Sequence, residues 1–344
     1  MINERPNLRE MLRQTPPITV TVQDIREASN RIRNSVLRTP LVKLNFEEAP
    51  CEIYLKLECL QPTGSFKVRG AGNAVALLPK EKKAHGVYTC SAGNMAQALA
   101  YHAKRENIPC SVIVPDNAPE TKVSAIKRYG ASIIRLSWEG VWNVATTHNY
   151  PPLSDNAFVH PFADPNMIAG NGTIGLEILE ELPDVKSVVV PFGGGGLFTG
   201  IATAVKVVGG GEGRRSNNNS IKTFASEIET AAPLTAAIKN DSPLNIDRIP
   251  SFVDGIGTMN VLEEMWTVAK PLVDGALVVS LADTGSAIKL LLERNRIVAE
   301  GASGTALAAA LSGKAGTSGK VVCIVSGGNI DTAKLISILE GKVP

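Results

Sequence analysis

Short β-branched runs alternate with longer helical ones along this sequence, in two separated series, and few architectures accept that pattern. In the first series "GVYTCSAG" leads into "NMAQALAYHAKREN", "CSVIVP" into "ETKVSAIKRYG", and "ASIIRL" into "VWNVATTHN". In the second, "KSVVVPF" precedes "LFTGIATAVKVV", "IKTFASE" precedes "APLTAAIK", and "KVVCIVSGGN" precedes "DTAKLISILE". The helical runs close near Gly or Asn, the residues that most readily adopt the left-handed turn ending a helix. A crossover of this length joins parallel strands, so each series predicts a mainly parallel sheet with helices on both faces. The expected fold class is α/β, two doubly wound α/β domains with a crevice between them, where such sheets bind ligands.

Upstream of the alternation, "VQDIREASNRIRNSVL" predicts a helix from Val22 that ends before Thr39-Pro40, and "CEIYLKLE" predicts a strand. Residues 1 to about 18 contain three prolines and read as an arm or partner-contacting extension. "GGGEGRRSNNNS", Gly209 to Ser220, reads as a flexible surface insertion.

Charge argues for small partners. The 35 basic and 33 acidic residues are interspersed and leave a net charge of +2, so no strong field gathers nucleic acid or an anionic membrane. No run of about 18 apolar residues occurs, and the charged start "MINERPNLRE" has no apolar stretch after it, which makes the cytosol the expected compartment. The five cysteines, Cys51, Cys59, Cys90, Cys110 and Cys323, form no CxxC pair and read as reduced core thiols.

Four segments carry chemistry. Gly193, Gly194, Gly195 and Gly196 sit between a strand and a helix, where successive N–H groups and the helix dipole form a phosphate cradle. No GKS or GKT follows, so a triphosphate loop is disfavoured, and the spacing is not the dinucleotide GxGxxG. Lys67 in "GSFKVRG" is an amine in apolar company; a lowered pKa there suits Schiff-base chemistry, against the plain reading of a surface lysine opening a helix. "SAGNMAQALA" presents Ser91, Ala92, Gly93 and Asn94 before a helix, a place for an anion such as a carboxylate, or simply an N-cap. Ser326 ends the apolar run "VVCIV", where a hydroxyl points into the crevice or serves only the turn.

In this order, "GSFKVRGA", "SAGNMAQAL", "IAGNGTIGLEI", "VPFGGGGLFTGIA" and "VSGGNID" resemble the pyridoxal-phosphate enzymes of the tryptophan synthase β family, and more narrowly the serine/threonine dehydratase and serine racemase branch. The resemblance spans about Val22 to Leu339. It implies that Lys67 bonds the cofactor aldehyde as an imine, that Phe66 flanks the ring, and that Gly193 to Gly196 hold the phosphate. It further implies that Asn94 bonds the ring hydroxyl, Ser326 faces the ring nitrogen, and Gly255 leaves room at the other ring face. Ser91, Ala92, Gly93, Asn94 and Met95 would receive the substrate carboxylate. The implied organisation is a large unit from 1–60 and 161–344 with a smaller mobile unit from 61–160, the Lys67 segment lying at the junction, and a homodimer.

The implied activity is β-elimination from a 3-hydroxy amino acid to a 2-oxo acid and ammonia, with amino acid racemisation as the alternative. Racemases of the branch carry a serine where this chain has Ala92, which cannot move a proton, so elimination is favoured. Met95 stands where many dehydratases have a histidine, which suggests a less polar or bulkier substrate such as phenylserine. Glu227 and Ala231 match two of three positions of a divalent cation site in relatives, and the third position here is Pro233. A helix-capping Glu227 is the other reading. Glu300 matches a family glutamate near the substrate end, where it would orient the site; a buried ion pair is the other reading. Nothing after the last helix resembles the regulatory domain of feedback-controlled dehydratases, so control by an amino acid product is not expected.

Overall fold

The computed structural model describes residues 18–210, 220–316 and 318–344; the expected arm and most of the Gly209 to Ser220 insertion lie outside them. The chain opens with α1 (Val22–Ile32), β1 (Leu41–Lys43), β2 (Glu52–Leu57), α2 (Lys67–Leu77) and α3 (Lys80–His85). Next come β3 (Val87–Cys90), α4 (Asn94–Glu106), β4 (Cys110–Pro115), α5 (Glu120–Lys127), β5 (Ser132–Leu136), α6 (Trp138–Thr147) and β6 (Ala157–Phe158). The chain then runs through α7 (Pro165–Glu181), β7 (Val185–Pro191), α8 (Gly196–Gly210), β8 (Lys222–Ile228), α9 (Pro233–Asn240) and α10 (Glu263–Ala269). It finishes with β9 (Gly275–Val279), α11 (Leu281–Asn295), α12 (Gly301–Leu311), β10 (Lys320–Val325) and α13 (Thr332–Leu339).

Two sheets form, as the alternation requires. The larger has strand order β1-β2-β10-β7-β8-β9 and the smaller β5-β4-β3-β6. Every pairing is parallel except β1 with β2. The central strand β10 reads as an unbroken apolar run because both its faces are covered. Val321, Cys323 and Val325 enter one core cluster, while Val322 and Ile324 enter the cluster on the opposite face.

Register places the site. Val325 of β10 pairs with Leu57 of β2, and Cys323 pairs with Val189 of β7, so these three strands end level with one another. The loops that follow, toward Lys67, toward the four glycines and through Ser326, therefore leave from adjacent carboxyl ends.

The α1 helix starts at a capping box, Thr21 accepting from Asp24 N–H while the Asp24 carboxylate accepts from Thr21 N–H. It stops at Ile32, earlier than its sequence pattern suggests. The reason is tertiary: Leu37 N–H donates to Gln61 Oε1 at 3.0 Å and Gln61 Nε2 donates to Leu37 O at 2.8 Å, which draws the chain out of helical geometry. The five cysteines are free thiols, and burial pushes those of Cys59, Cys90 and Cys110 up to about 12.

Between the two sheets, α2 packs against α7 on one side and α4 on the other. A buried ionic cluster ties it down. Arg69 Nε donates to Glu58 Oε2 at 2.8 Å and Nη2 to Glu58 Oε1 at 2.9 Å, while Nη1 and Nη2 reach Glu177 at 2.6 and 2.9 Å. Lys56 joins the same group through Glu177 at 2.7 Å, Glu181 at 3.3 Å and Thr39 O at 2.7 Å. Paired on both edges, the Arg69 guanidinium keeps its charge despite burial.

Candidate active site

Lys67 is the first residue of α2, and the turn before it is fastened to the end of β10: Phe66 N–H donates to Ser326 O at 2.9 Å and Ser65 bridges to Gly327. The amine points into a cleft of about 520 Å³ between the sheets. There Nζ donates to Pro161 O at 2.5 Å and lies 5.1 Å from the Phe66 ring centroid. Removal from water lowers its pKa to about 8, with the negative charge of Glu300 pulling the other way. The lysine thus holds both protonation states within reach of neutral pH, as the reading of "SFK" required.

Gly193 to Gly196 turn the chain from β7 into α8 and line the same cleft. A Cβ at Gly194 would lie 2.2 Å from the Phe162 ring, one at Gly196 would lie 2.6 Å from Phe162 O, and Gly195 has φ +91°. No side chain fits at these three positions, so bare N–H groups gather at the positive end of α8. Ser326, 1% exposed, follows β10 with its Oγ 3.3 Å from Ser303 Oγ. At Gly255 an added Cβ would come only to ordinary contact with Ala302 and Glu300, at 3.4 and 3.5 Å, so glycine there keeps space open on the cleft side.

Across the cleft, the loop from β3 into α4 brings Ser91, Ala92, Gly93 and Asn94 to the wall. Ser91 Oγ accepts from Gly93 N–H at 3.2 Å, which shapes the loop. Asn94 opens α4; its Nδ2 donates to both oxygens of Glu300, at 2.8 and 3.1 Å, and its Oδ1 accepts from Asn329 Nδ2 at 2.8 Å. Burial pushes the Glu300 carboxyl up to about 7, tempered by the Asn94 bond; Asp254 adds to the rise and Lys122 opposes it. At the cleft mouth, Lys122 of α5 and Lys334 of α13 both reach Asp254 Oδ2, at 2.8 and 3.1 Å.

Two expectations change. Met95 lines the cleft, but its side chain is only 1% exposed and packs with Val68, Ala71 and Leu99 in the core of the smaller sheet. Its thioether is core packing, and the apolar wall is made instead by Val141, Trp142 and Ala145 of α6. Glu227 is the second. Its Oε1 accepts from Leu234 N–H at 2.7 Å and its Oε2 from Thr235 N–H at 2.8 Å and Thr235 Oγ at 2.6 Å, so it caps α9, with Ala231 in the turn between. Among the described residues no group of three His, Cys, Asp or Glu side chains is placed to hold a metal ion.

Sequence reasoning missed Pro161, Phe162 and Asn329, all lining the cleft. The run "HPFADP" that holds the first two contains none of the motifs that point to the site. No helix among the described residues is long and apolar enough to cross a membrane.

The family model for pyridoxal-phosphate dependent enzymes matches residues 32–327. The chain belongs to that family. This pyridoxal-phosphate dependent enzyme is 37% identical over 325 residues to an L-threonine ammonia-lyase of Thermotoga maritima, covering 93% of this chain and 78% of the relative. Among solved structures it is similar to maize serine racemase, with TM-score 0.81 and 32% identity over 93% of this chain and 97% of that one. It is equally similar to a T.th. threonine deaminase, with TM-score 0.81 and 31% identity over 90% of this chain and 99% of that one. The cleft of this pyridoxal-phosphate dependent enzyme fits the cofactor: a buried amine, a turn that admits no Cβ at the head of a helix, and a hydroxyl at a strand end face one volume.

Proposed function

We propose that the protein dehydrates and deaminates a 3-hydroxy amino acid, threonine or serine first, releasing a 2-oxo acid and ammonia. One observation carries the reading: the Lys67 amine, with a pKa near 8, stands in a cleft between a phosphate cradle and an anion-receiving helix start. Lys67 would hold the aldehyde end of pyridoxal phosphate, Gly193 to Gly196 its phosphate, Asn94 its ring hydroxyl and Ser326 its ring nitrogen, with Phe66 flanking the ring and Gly255 giving space. When bound, the cofactor supplies an electron sink for negative charge at the substrate Cα.

The residues of the chain do the rest. The Ser91 hydroxyl and the N–H groups of Asn94 and Met95 at the head of α4, with the Gly93 N–H shaping the loop, would receive the substrate carboxylate, which fixes the direction of the Cα–H bond. With the substrate's own amine in its place, the freed Lys67 Nζ would take the Cα proton, a task suited to an amine whose pKa lies near working pH. Val141, Trp142 and Ala145 give the cleft an apolar wall, which would limit bulk water at the reacting atoms. The substrate loses its β-hydroxyl as water; addition of water then releases ammonia, so the net change is amino acid to 2-oxo acid plus ammonia.

The name of the T. maritima relative and the threonine deaminase structure support elimination. Against racemisation stands Ala92, which brings no titratable group to the cleft wall. The resemblance further supports a cytosolic homodimer, which sedimentation of the holoenzyme would test. The deciding assay is a panel of threonine, serine and phenylserine with 2-oxo acid and ammonia as readouts. Release from threonine or serine is expected; inversion of serine chirality without 2-oxo acid would overturn the reading.

A further inference from the structure

The turn that holds the Lys67 amine is itself built around one histidine. His160 is 2% exposed and follows β6, where the chain leaves the smaller sheet for α7. Its Nδ1 accepts two backbone N–H groups, from Phe162 at 3.1 Å and Ala163 at 2.7 Å. Its Nε2 lies 3.0 Å from Ala145 O of α6. A carbonyl only accepts and an N–H only donates, so a single protonation state satisfies all three contacts: neutral imidazole with the hydrogen on Nε2. Burial and the neighbouring His148 and Lys67 hold the ring neutral as well.

The two N–H groups that Nδ1 gathers belong to the residues just after Pro161, whose carbonyl takes the Lys67 amine. The same fold of the turn lays the Phe162 ring over Gly194, edge-on to the imidazole with centroids 4.5 Å apart. We propose that His160, as the Nε2–H tautomer, is a positioning residue that folds the Pro161–Ala163 turn so that one side grips Lys67 and the other closes over the tetraglycine cradle. The His160 side chain stands behind the cleft wall and is not part of its lining. Its effect reaches both ends of the cofactor site through backbone atoms of one turn, and it does not depend on which amino acid is the substrate.

The test compares His160→Asn with His160→Gln in the holoenzyme. An asparagine oxygen falls where Nδ1 was and keeps the acceptor for Phe162 and Ala163; a glutamine amide reaches Ala145 but leaves those two N–H groups without a partner. Dissociation of pyridoxal phosphate, followed by its fluorescence, should stay within about threefold of wild type for His160→Asn and weaken by about tenfold or more for His160→Gln. Nitrogen-15 spectra of the wild-type holoenzyme should show His160 with its hydrogen on Nε2 at pH 7. Equal loss in both variants, wild-type retention in His160→Gln, or a hydrogen on Nδ1 would each overturn the proposal. If His160→Gln does not fold, the His160→Asn value and the spectrum decide alone.

Discussion

Lys56 and Lys67 are both withdrawn from water and stand close together in sequence, yet the structure treats them in opposite ways. The Lys56 side chain is fully covered and meets Glu177, Glu181 and Thr39 O, so its charge is matched on every side. Lys67 is partly buried, with Pro161 O as its hydrogen-bond partner and Glu300 as a charge nearby, and its pKa falls to about 8. Removal from water is shared; the number of carboxylates in contact is not. A lysine becomes a reactive amine here through the scarcity of matched charge, while the paired lysine serves as an internal brace.

The comparison predicts a clean exchange of phenotypes. Lys67→Ala should lower 2-oxo acid release by about 10⁴-fold or more with little loss of stability, because no ionic partner is stranded by it. A variant that kept more than a tenth of the turnover would break the contrast. Lys56→Met should do the reverse. Arg38 still holds Glu181 and Arg69 still holds Glu177, so the main loss is the buried Thr39 carbonyl left without its donor, which should cost about 1–3 kcal/mol in urea unfolding, with turnover per folded molecule within about twofold.

Glu300 sharpens the contrast through pH. Its carboxyl rises from an ordinary value of 4.5 to about 7 in the folded chain, so folding favours its protonated form. That contribution is complete below pH 4.5 and is lost as pH climbs through 7, a change of roughly 2–3 kcal/mol in the cofactor-free protein. Lys67 runs the other way: with its pKa lowered from 10.5 to about 8, stability rises with pH between those values. Glu300→Gln should flatten the acid-side decline and lower the Lys67 pKa further, read as a shift in the pH midpoint of cofactor binding; an unchanged decline between pH 4.5 and 7 would assign it to other groups. The smallest effect is expected from Ala92→Ser. A hydroxyl facing the cleft should raise serine racemisation relative to elimination by less than about tenfold, measured by chiral chromatography, and no change at all would mean that a proton carrier at this position is not what separates the two reactions.

How far the sequence was legible follows from the range of each interaction. Strands and helices of the alternating series came from local periodicity, and they appear close to where "CSVIVP" and "KVVCIV" place them. The glycine turn and Lys67 were legible for the same reason, since each needs only its neighbours to make sense. Contacts between distant segments were not. Nothing in "NMAQ" points to Glu300, 206 positions away, and nothing in "VRG" announces that Arg69 will meet Glu177. Met95 was misread because a residue after a loop can face either way, and only the packing of α4 on the smaller sheet turns its side chain inward. The antiparallel β1 and the two-residue β6 are too short to carry a period of their own.

Arg69 stands one step beyond the residue after Lys67, on the same first turn of α2, and is gripped by Glu58 from the loop beyond β2 and by Glu177 from α7. The nitrogen that must meet the substrate is thereby moored to the larger half of the molecule. Any rocking of the smaller sheet would pivot about that anchorage and leave the spacing between amine and glycine turn undisturbed. Were the smaller sheet to move in this way, entry and exit would widen without the chemistry needing to be realigned on each cycle.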